Sequence, residues 1–417
     1  MKIIIKNLFS LGLIHSVNLL VPLLITPYLI KTVGISSFGV IATAQSIVVF
    51  FNLLTDFGFN LSSVRRIAQA QGNLKEIEKI INGVVFLKLI LLGISFILFV
   101  AIVIAVPQFN KHLELYIFSF SMVIGQAFLP LWYYQGIEKI NRTIIPVVIS
   151  KLLTIAAIFF FIKTETNSSL VNVLFGTGNI VTGLYLVGLM RKEYKISFKL
   201  INYNILSAEF KNGLAMFTSN AAIVIYANSS IIILSFFLTP LSLGIYSVVD
   251  KIVQILKGIL SLVHQVSYPR ICNIVKESDI ALLDFIKKIY GIVWSVVLLV
   301  CLLLFFFSTL IVSYFIKEPQ SILYASNLLR NFSFVLFITS LNMPFYQSLL
   351  AYKKDWLAVK ILFAAAVLSV LMNLILIPLF KINGAVINIY IIETLVTLTF
   401  IHYFSRFKKD LWTMKTT

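Results

Sequence analysis

The sequence contains few charged residues and almost no cysteine. Charged residues make up 12% of its 417 positions, about half the share of an average soluble protein. The two cysteines, Cys272 and Cys301, lie in no metal or redox spacing, so neither a disulfide framework nor a zinc site is predicted. The scarcity of charge excludes an ordinary soluble protein, and the 59% hydrophobic content indicates a polytopic membrane protein.

Several motifs of catalysis and nucleotide binding are also missing. The sequence has no Gly-x-x-x-x-Gly-Lys-Ser/Thr loop, which argues against a pump that hydrolyses ATP itself. It has no His-Glu-x-x-His metal motif and no Asp-x-Asp pair of the kind used by nucleotide-sugar transferases. We therefore expect a protein with no catalytic residues, no cofactor and no metal.

The hydrophobic residues are grouped into segments that can cross a membrane, which needs about 20 apolar residues each. About twelve such segments lie near 9–30, 40–62, 80–106, 114–135, 144–162, 169–190, 214–238, 244–267, 289–312, 322–350, 357–380 and 385–405. When the connections alternate between two sides, 23 of the 34 Lys and Arg residues fall on one side and five on the other. The positive-inside rule then places both termini in the cytoplasm and explains the net charge of +18 without a nucleic-acid partner.

The two halves of the sequence are similar to each other. Residues 36–67 align without a gap over the stretch that begins at position 241, and Gly39 pairs with Gly244 at an offset of 205. Both halves enter the membrane from the same side, so the repeats are parallel. The predicted fold is all-α and polytopic, with two parallel six-helix lobes around a central cavity. We expect the lobes at 1–190 and 214–417, joined by a cytoplasmic linker at 191–213.

Span 8 carries a row of polar side chains within an apolar segment. Steps of three and four residues place them on one helix face, which comprises Asp250, Gln254, Lys257, Ser261 and His264. The offset of 205 maps Gln45, Asn52 and Asp56 of span 2 onto positions 250, 257 and 261. Two polar faces related by pseudo-symmetry are expected to line the same cavity, together with spans 1 and 7.

Two stretches of the first half resemble motifs of a known family. LTDFGFNLSSVRRIA at 54–68 and FLPLWYYQGIEKINR at 128–142 are similar to motifs of bacterial O-antigen repeat-unit flippases, which share a superfamily with multidrug exporters. The resemblance implies transport of undecaprenyl-pyrophosphate-linked oligosaccharide from the cytoplasmic to the periplasmic leaflet of the inner membrane. It also implies contact with membrane lipids, and with a polysaccharide polymerase and a chain-length regulator as partners.

Lys257 is the first candidate for contact with such a substrate. A cation near the bilayer centre costs roughly 2.5–3.5 kcal/mol, and Asp250 lies about 10 Å away along the helix, too far for a direct pair. A pyrophosphate could compensate the charge, and so could a structural pair with an acid such as Asp56. The candidate substrate-binding residues are Lys257, Asp250, Gln254, His264, Arg270, Arg65, Arg66, Asn52 and Asp56.

Other intramembrane and interfacial residues allow two interpretations. Arg65, Arg66 and Arg270 form either a basic vestibule or interfacial anchors. Asp250, Glu393 and Asp56 are candidates for a coupling ion, although Glu393 and Arg330 could instead form a structural pair. Lys88 is expected to extend toward the cytoplasmic interface.

The aromatic cluster at 132–134 is expected at the membrane interface.

The main functional alternative is a cation-coupled multidrug exporter of the same superfamily, although the cationic stripe favours an anionic substrate. A membrane polymerase or ligase fits less well, because the predicted external loops are too short to build a catalytic platform.

Overall fold

A computed structural model describes residues 2–70, 73–194 and 202–414. The chain is 92% helical, and the described ranges contain no strand, which confirms the all-α prediction. The chain divides into two compact units, Met1–Val224 (unit 1) and Ile225–Thr417 (unit 2). The predicted lobes at 1–190 and 214–417 stay a prediction, although part of the proposed linker is helical.

Unit 1 is built from nine helices within the described ranges. They are α1 (Lys2–Asp56), α2 (Phe59–Gln69), α3 (Leu74–Ala105), α4 (Pro107–Asn110), α5 (Leu113–Phe128), α6 (Leu131–Gly136), α7 (Asn141–Phe161), α8 (Leu170–Tyr194) and α9 (Tyr203–Phe237). The boundary between the units falls inside α9, so this helix contributes residues to both. The Asn73 side chain caps α3 by accepting the Glu76 amide at 3.2 Å, which satisfies one of the free N–H groups of the first turn.

Two glycines with positive φ shape the polypeptide around span 2. Gly34 has φ 81° and ψ 159°, and it kinks α1 between predicted spans 1 and 2. Gly58 has φ 78° and separates α1 from α2, directly after Phe57 with φ 41°. A glycine adopts these angles at little steric cost. Span 2 therefore ends in a sharp break next to Asp56.

Unit 2 follows with eight helices that begin and end in its described part. They are α10 (Pro240–Glu277), α11 (Asp279–Phe285), α12 (Gly291–Phe306), α13 (Ser308–Phe315), α14 (Pro319–Ser333), α15 (Val335–Ala351), α16 (Asp355–Phe380) and α17 (Ile382–Met414). Thr239 caps α10 by accepting the Ser242 amide at 3.4 Å, and Pro240 occupies the first turn. Proline is well suited to that position because the N–H it lacks has no partner there.

Ten segments of the described chain are apolar and long enough to cross a membrane, judged by length and composition. One of them, Gly12–Gln69, contains predicted spans 1 and 2 because α1 continues through Gly34. Helix α10 is not among the ten, and three charged residues, Asp250, Lys251 and Lys257, lie in its apolar part. In the internal repeat α10 is nevertheless the sequence counterpart of span 2, and its length of 38 residues exceeds the roughly 20 that a span requires.

Candidate functional site

The polar row of α10 contains one intramembrane ion pair. Lys257 Nζ donates a hydrogen bond to Glu393 Oε1 of α17 at 3.1 Å. The Lys257 side chain is 28% exposed, whereas that of Glu393 is 3% exposed. The Asn342 amide of α15 donates to the other carboxylate oxygen of Glu393 at 3.4 Å. Three helices of unit 2 therefore meet at one buried carboxylate.

A small polar cavity of about 60 Å³ lies beside this pair, within unit 2. Tyr226 of α9 lines it together with Tyr246 and Asp250 of α10, and Lys257 and Glu393 close another part of its wall. A cavity of this size has room for a few water molecules. Asp250 and Lys257 thus line the same cavity although they are too far apart along the helix to pair directly.

The C-terminal end of the polar row is fixed by a buried hydrogen-bond network. The His264 ring stacks on Tyr346, with centroids 5.8 Å apart. The Gln347 amide donates to the His264 carbonyl at 2.6 Å. The Ser267 hydroxyl donates to the Gln347 side-chain carbonyl at 3.0 Å, and Tyr290 donates to the same oxygen at 2.5 Å. The network holds α10 against α15.

Unit 1 contains an ion pair of its own at the end of α1. Lys88 Nζ of α3 donates to Asp56 Oδ1 at 2.9 Å, with side-chain exposures of 5% and 17%. The Asn60 amide of α2 donates to Asp56 Oδ2 at 2.5 Å. One turn earlier, the Asn52 side-chain oxygen is buried without a hydrogen-bond partner among the described residues. The conformation at Phe57 and Gly58 places Asp56 between α2 and α3.

These contacts correct three expectations about intramembrane charges. Lys88 does not extend toward the interface but is buried against Asp56. Glu393 pairs with Lys257 rather than Arg330, and the Arg330 guanidinium donates instead to the Ser308 hydroxyl at 2.9 Å. The structural pair suggested between Lys257 and Asp56 is also wrong, since each of the two has a partner within its own unit.

The aromatic cluster of the second motif is likewise not an interfacial belt. Trp132, Tyr133 and Tyr134 are 2%, 1% and 0% exposed and belong to the hydrophobic core of unit 1. The Tyr134 hydroxyl donates to the Leu186 carbonyl of α8 at 2.8 Å. Packing against α8 therefore satisfies the polar atom that would otherwise favour the interface.

The three candidate arginines differ in their surroundings. Arg65 of α2 and Arg270 of α10 are exposed. Arg66 donates to Glu209 Oε2 of α9, a carboxylate that is 2% exposed. Glu209 lies outside the predicted spans, and burial raises its pKa above the ordinary value while Arg66 opposes that rise. Sequence reasoning missed Glu209 because an isolated acid in an amphipathic segment gives no signal of its distant partner.

The arrangement can hold an anion without a metal ion. An ammonium group has three donors, and Glu393 accepts from one of those of Lys257. Lysine acts as a point charge toward phosphate. An anionic ligand in the cavity could therefore accept a hydrogen bond from Lys257 beside Glu393 or in its place. No cluster of three or more metal-ligating side chains is found among the described residues.

Comparison with known proteins identifies relatives of the whole chain. A model of the polysaccharide biosynthesis protein family matches residues 4–275. A protein of Escherichia coli (strain K12), provisionally named an O-antigen transporter, is 29% identical over 402 residues, which cover 94% of both chains. A Shigella dysenteriae protein with the same name is 28% identical over 271 residues, covering 64% of this chain and 67% of its own.

Two solved structures have the same fold. An inward-facing multidrug resistance MATE family transporter of the MOP superfamily superposes with a TM-score of 0.69 at 16% identity, covering 97% of this chain and 96% of its own. The lipid II flippase MurJ, in an inward closed conformation, superposes with a TM-score of 0.67 at 18% identity, covering 96% and 87%. At these identities the likeness shows the fold alone.

Proposed function

The chain belongs to the polysaccharide biosynthesis protein family, and from that premise we propose that it is a flippase for lipid-linked polysaccharide precursors. Its relatives named as O-antigen transporters and the fold of a lipid II flippase support this class of substrate. More finely, the proposed substrate is an undecaprenyl-pyrophosphate-linked O-antigen or related repeat unit. It would be moved from the cytoplasmic to the periplasmic leaflet of the bacterial inner membrane by alternating access.

The observation that carries this proposal is the partly exposed cation of α10. Lys257 retains 28% exposure while its partner Glu393 is almost completely buried. The ammonium group has three donors, and Glu393 accepts a hydrogen bond from one of them. The exposure of Lys257 beside the cavity supports contact with a second anion, and the pyrophosphate group is the anion of the proposed substrate.

The path of the substrate follows from the repeat. We propose that spans 1, 2, 7 and 8 line a central cavity, with Arg65, Arg66 and Arg270 at its cytoplasmic mouth. Both termini would then be cytoplasmic, as the distribution of Lys and Arg favours. The polysaccharide polymerase and the chain-length regulator remain proposed partners, because they act on the product of this step.

The energy source would act through one of three carboxylates. Asp56 and Glu393 already neutralise a lysine, so protonation of either would break an ion pair. Asp250, in contrast, lines the cavity of unit 2, whereas the hydrogen bond of Lys257 goes to Glu393. We therefore propose Asp250 first as the coupling residue, and Glu393 or Asp56 next.

The test is a deletion strain assayed for surface polysaccharide and for lipid-linked repeat units. We expect surface polysaccharide to be lost and undecaprenyl-linked repeat units to accumulate at the cytoplasmic leaflet. Normal surface polysaccharide with increased drug sensitivity would instead support a cation-coupled multidrug exporter. Accumulation of unpolymerised units at the periplasmic leaflet would indicate a polymerase or ligase.

A further inference from the structure

The first part of α9, residues 203–217, packs closely on unit 1, to which it belongs; we call it the α9 arm. Three glycines allow the close approach. A Cβ added at Gly58 would lie 2.6 Å from Met216 Cβ, and one added at Gly213 would lie 2.6 Å from the Phe57 carbonyl oxygen. A Cβ at Gly83 of α3 would lie 2.7 Å from Glu209 Cγ. The arm thus touches both the break after α1 and the face of α3.

Aromatic stacking reinforces this contact. Phe57 lies in the break between α1 and α2, and its ring stacks on Phe210 and on Phe217, with centroids 4.7 Å apart in both cases. Such pairs add stability beyond that of their buried area. The stacking and the glycine contacts form the apolar part of the contact between the arm and unit 1.

The arm also makes a charged contact with unit 1, the pair of Glu209 and Arg66, and this pair lies at a cleft. Glu209 is 2% exposed, whereas the Arg66 side chain is 27% exposed. Arg66 lines an open, polar cleft of about 410 Å³ together with Gln69, Asn73 and Glu76. The guanidinium has five donors, so it can reach Glu209 on one side and a ligand in the cleft on the other.

The electrostatic balance makes the arm depend on Arg66. Removing one partner of a buried pair leaves a charge without compensation, which is strongly destabilising, whereas replacing both partners is often neutral. Burial raises the pKa of Glu209, and Arg66 is the group that most opposes the rise, with a smaller contribution from Lys79. If Arg66 turned toward another anion, the Glu209 carboxylate would be left buried and charged. Movement of the arm would return it to water.

We propose that Arg66 binds a phosphate or pyrophosphate group in this cleft, and that this exchange of partners releases the α9 arm from unit 1. The identity of the anion as a lipid-linked pyrophosphate rests on the proposed function. The release itself rests on the contacts of Arg66 and Glu209. Glu209 is in this view a positioning residue, which couples occupation of the cytoplasmic cleft to the conformation of α9.

Hydrogen–deuterium exchange of the arm tests the charge dependence directly. The full chain is placed in nanodiscs of phosphatidylcholine, and exchange is followed in peptides from 203–217. Arg66→Ala should speed their exchange about tenfold or more, because one partner of a buried pair is lost. The double variant Arg66→Ala/Glu209→Gln should return exchange to within about twofold of the wild type. Equal exchange in the wild type and Arg66→Ala, or fast exchange in the double variant, would overturn the proposal.

Two controls separate release of the arm from general loss of folding. Arg65→Ala removes a neighbouring but exposed arginine and should leave exchange of the arm unchanged. Peptides of α16 in unit 2 should exchange equally slowly in every variant. Fast exchange in both α16 and the arm would show that Arg66→Ala unfolds the protein. In that case the double variant should restore slow exchange in both segments, and fast exchange in either of them would overturn the proposal.

Three anions identify what the cleft binds. Undecaprenyl pyrophosphate, inorganic pyrophosphate and phosphatidylglycerol are added in separate experiments. We expect undecaprenyl pyrophosphate to speed exchange of the arm in the wild type but not in Glu209→Gln, where no charge is stranded. A response to inorganic pyrophosphate or phosphatidylglycerol alone supports the anion site with a soluble or general lipid source. No response to any of the three rejects the site, and this result is independent of the polysaccharide assay in the deletion strain.

Discussion

Replacement of Lys257 by methionine should destabilise unit 2 as well as impair transport. The change removes the cation but leaves Glu393, which is 3% exposed, beside the Asn342 amide, whose hydrogen bond is long at 3.4 Å. Breaking a buried pair on one side typically costs about 3–5 kcal/mol. We therefore expect Lys257→Met to lower the unfolding temperature in detergent, contrary to the simple view that removing an intramembrane charge favours stability.

The reverse substitution should cost less. In Glu393→Gln the remaining lysine is 28% exposed and can keep part of its hydration, so the stranded charge is less unfavourable. The double variant Lys257→Met/Glu393→Gln replaces both charges and should unfold within about 1 kcal/mol of the wild type. Thermal unfolding of the three purified variants checks this order.

Export of polysaccharide by the same variants then distinguishes substrate contact from a structural role. If Lys257 contacts the pyrophosphate, the double variant should be folded but inactive, while Glu393→Gln and Lys257→Arg retain at least part of the export. Full export by the folded double variant would refute the assignment, because only the structural pair would have been needed. If the single variant Glu393→Gln lost export, the functional role would have to be assigned to the carboxylate of Glu393 rather than to Lys257.

Further predictions concern other described residues. Gly58→Ala should destabilise the protein by more than about 1 kcal/mol in thermal unfolding, because φ is 78° and the new Cβ would lie 2.6 Å from Met216 Cβ. Gly34→Ala should also be destabilising in the same assay, because φ 81° and ψ 159° lie in a region essentially restricted to glycine, although no atom lies within 4 Å of its added Cβ; stability equal to the wild type would contradict this backbone argument. Lys88→Met should cost about 3 kcal/mol and be rescued by Asp56→Asn, measured in the same way, and absence of rescue would show that Lys88 does more than neutralise Asp56. Asp250→Asn should abolish the response of flipping in proteoliposomes to an imposed pH gradient, and an unchanged response would exclude Asp250 as the coupling residue.

The sequence was sufficient to predict helices, spans and the polar face, because these depend on local periodicity. Steps of three and four residues place Asp250 and Lys257 on one side of α10 regardless of what packs against it. The apolar length of each segment similarly predicts a span. Two differences from the predicted spans remain. Spans 1 and 2 lie in one segment because α1 continues through Gly34, and α10 is not counted among the ten apolar segments.

The partners of the charged residues could not be predicted in the same way. Lys257 and Glu393 are 136 positions apart, and Arg66 and Glu209 are 143 positions apart. Such contacts depend on which helices become neighbours, and the local periodicity of a segment does not indicate its distant partners. The cluster that includes Trp132 was misassigned for a related reason, since an aromatic side chain with a polar atom suits both an interface and a satisfied core position.

The spacing of the two intramembrane ion pairs has a consequence for biosynthesis. Asp56 and Lys88 are 32 residues apart and lie on successive spans, so they can neutralise each other as soon as the third span leaves the ribosome. Lys257 must wait for a residue 136 positions later, on the last span. At about 5–20 residues per second, the wait for those 136 residues lasts roughly 7–27 s. During that interval the nascent second half carries an unmatched cation, so chains that stop before α17 should be preferred targets of membrane proteases.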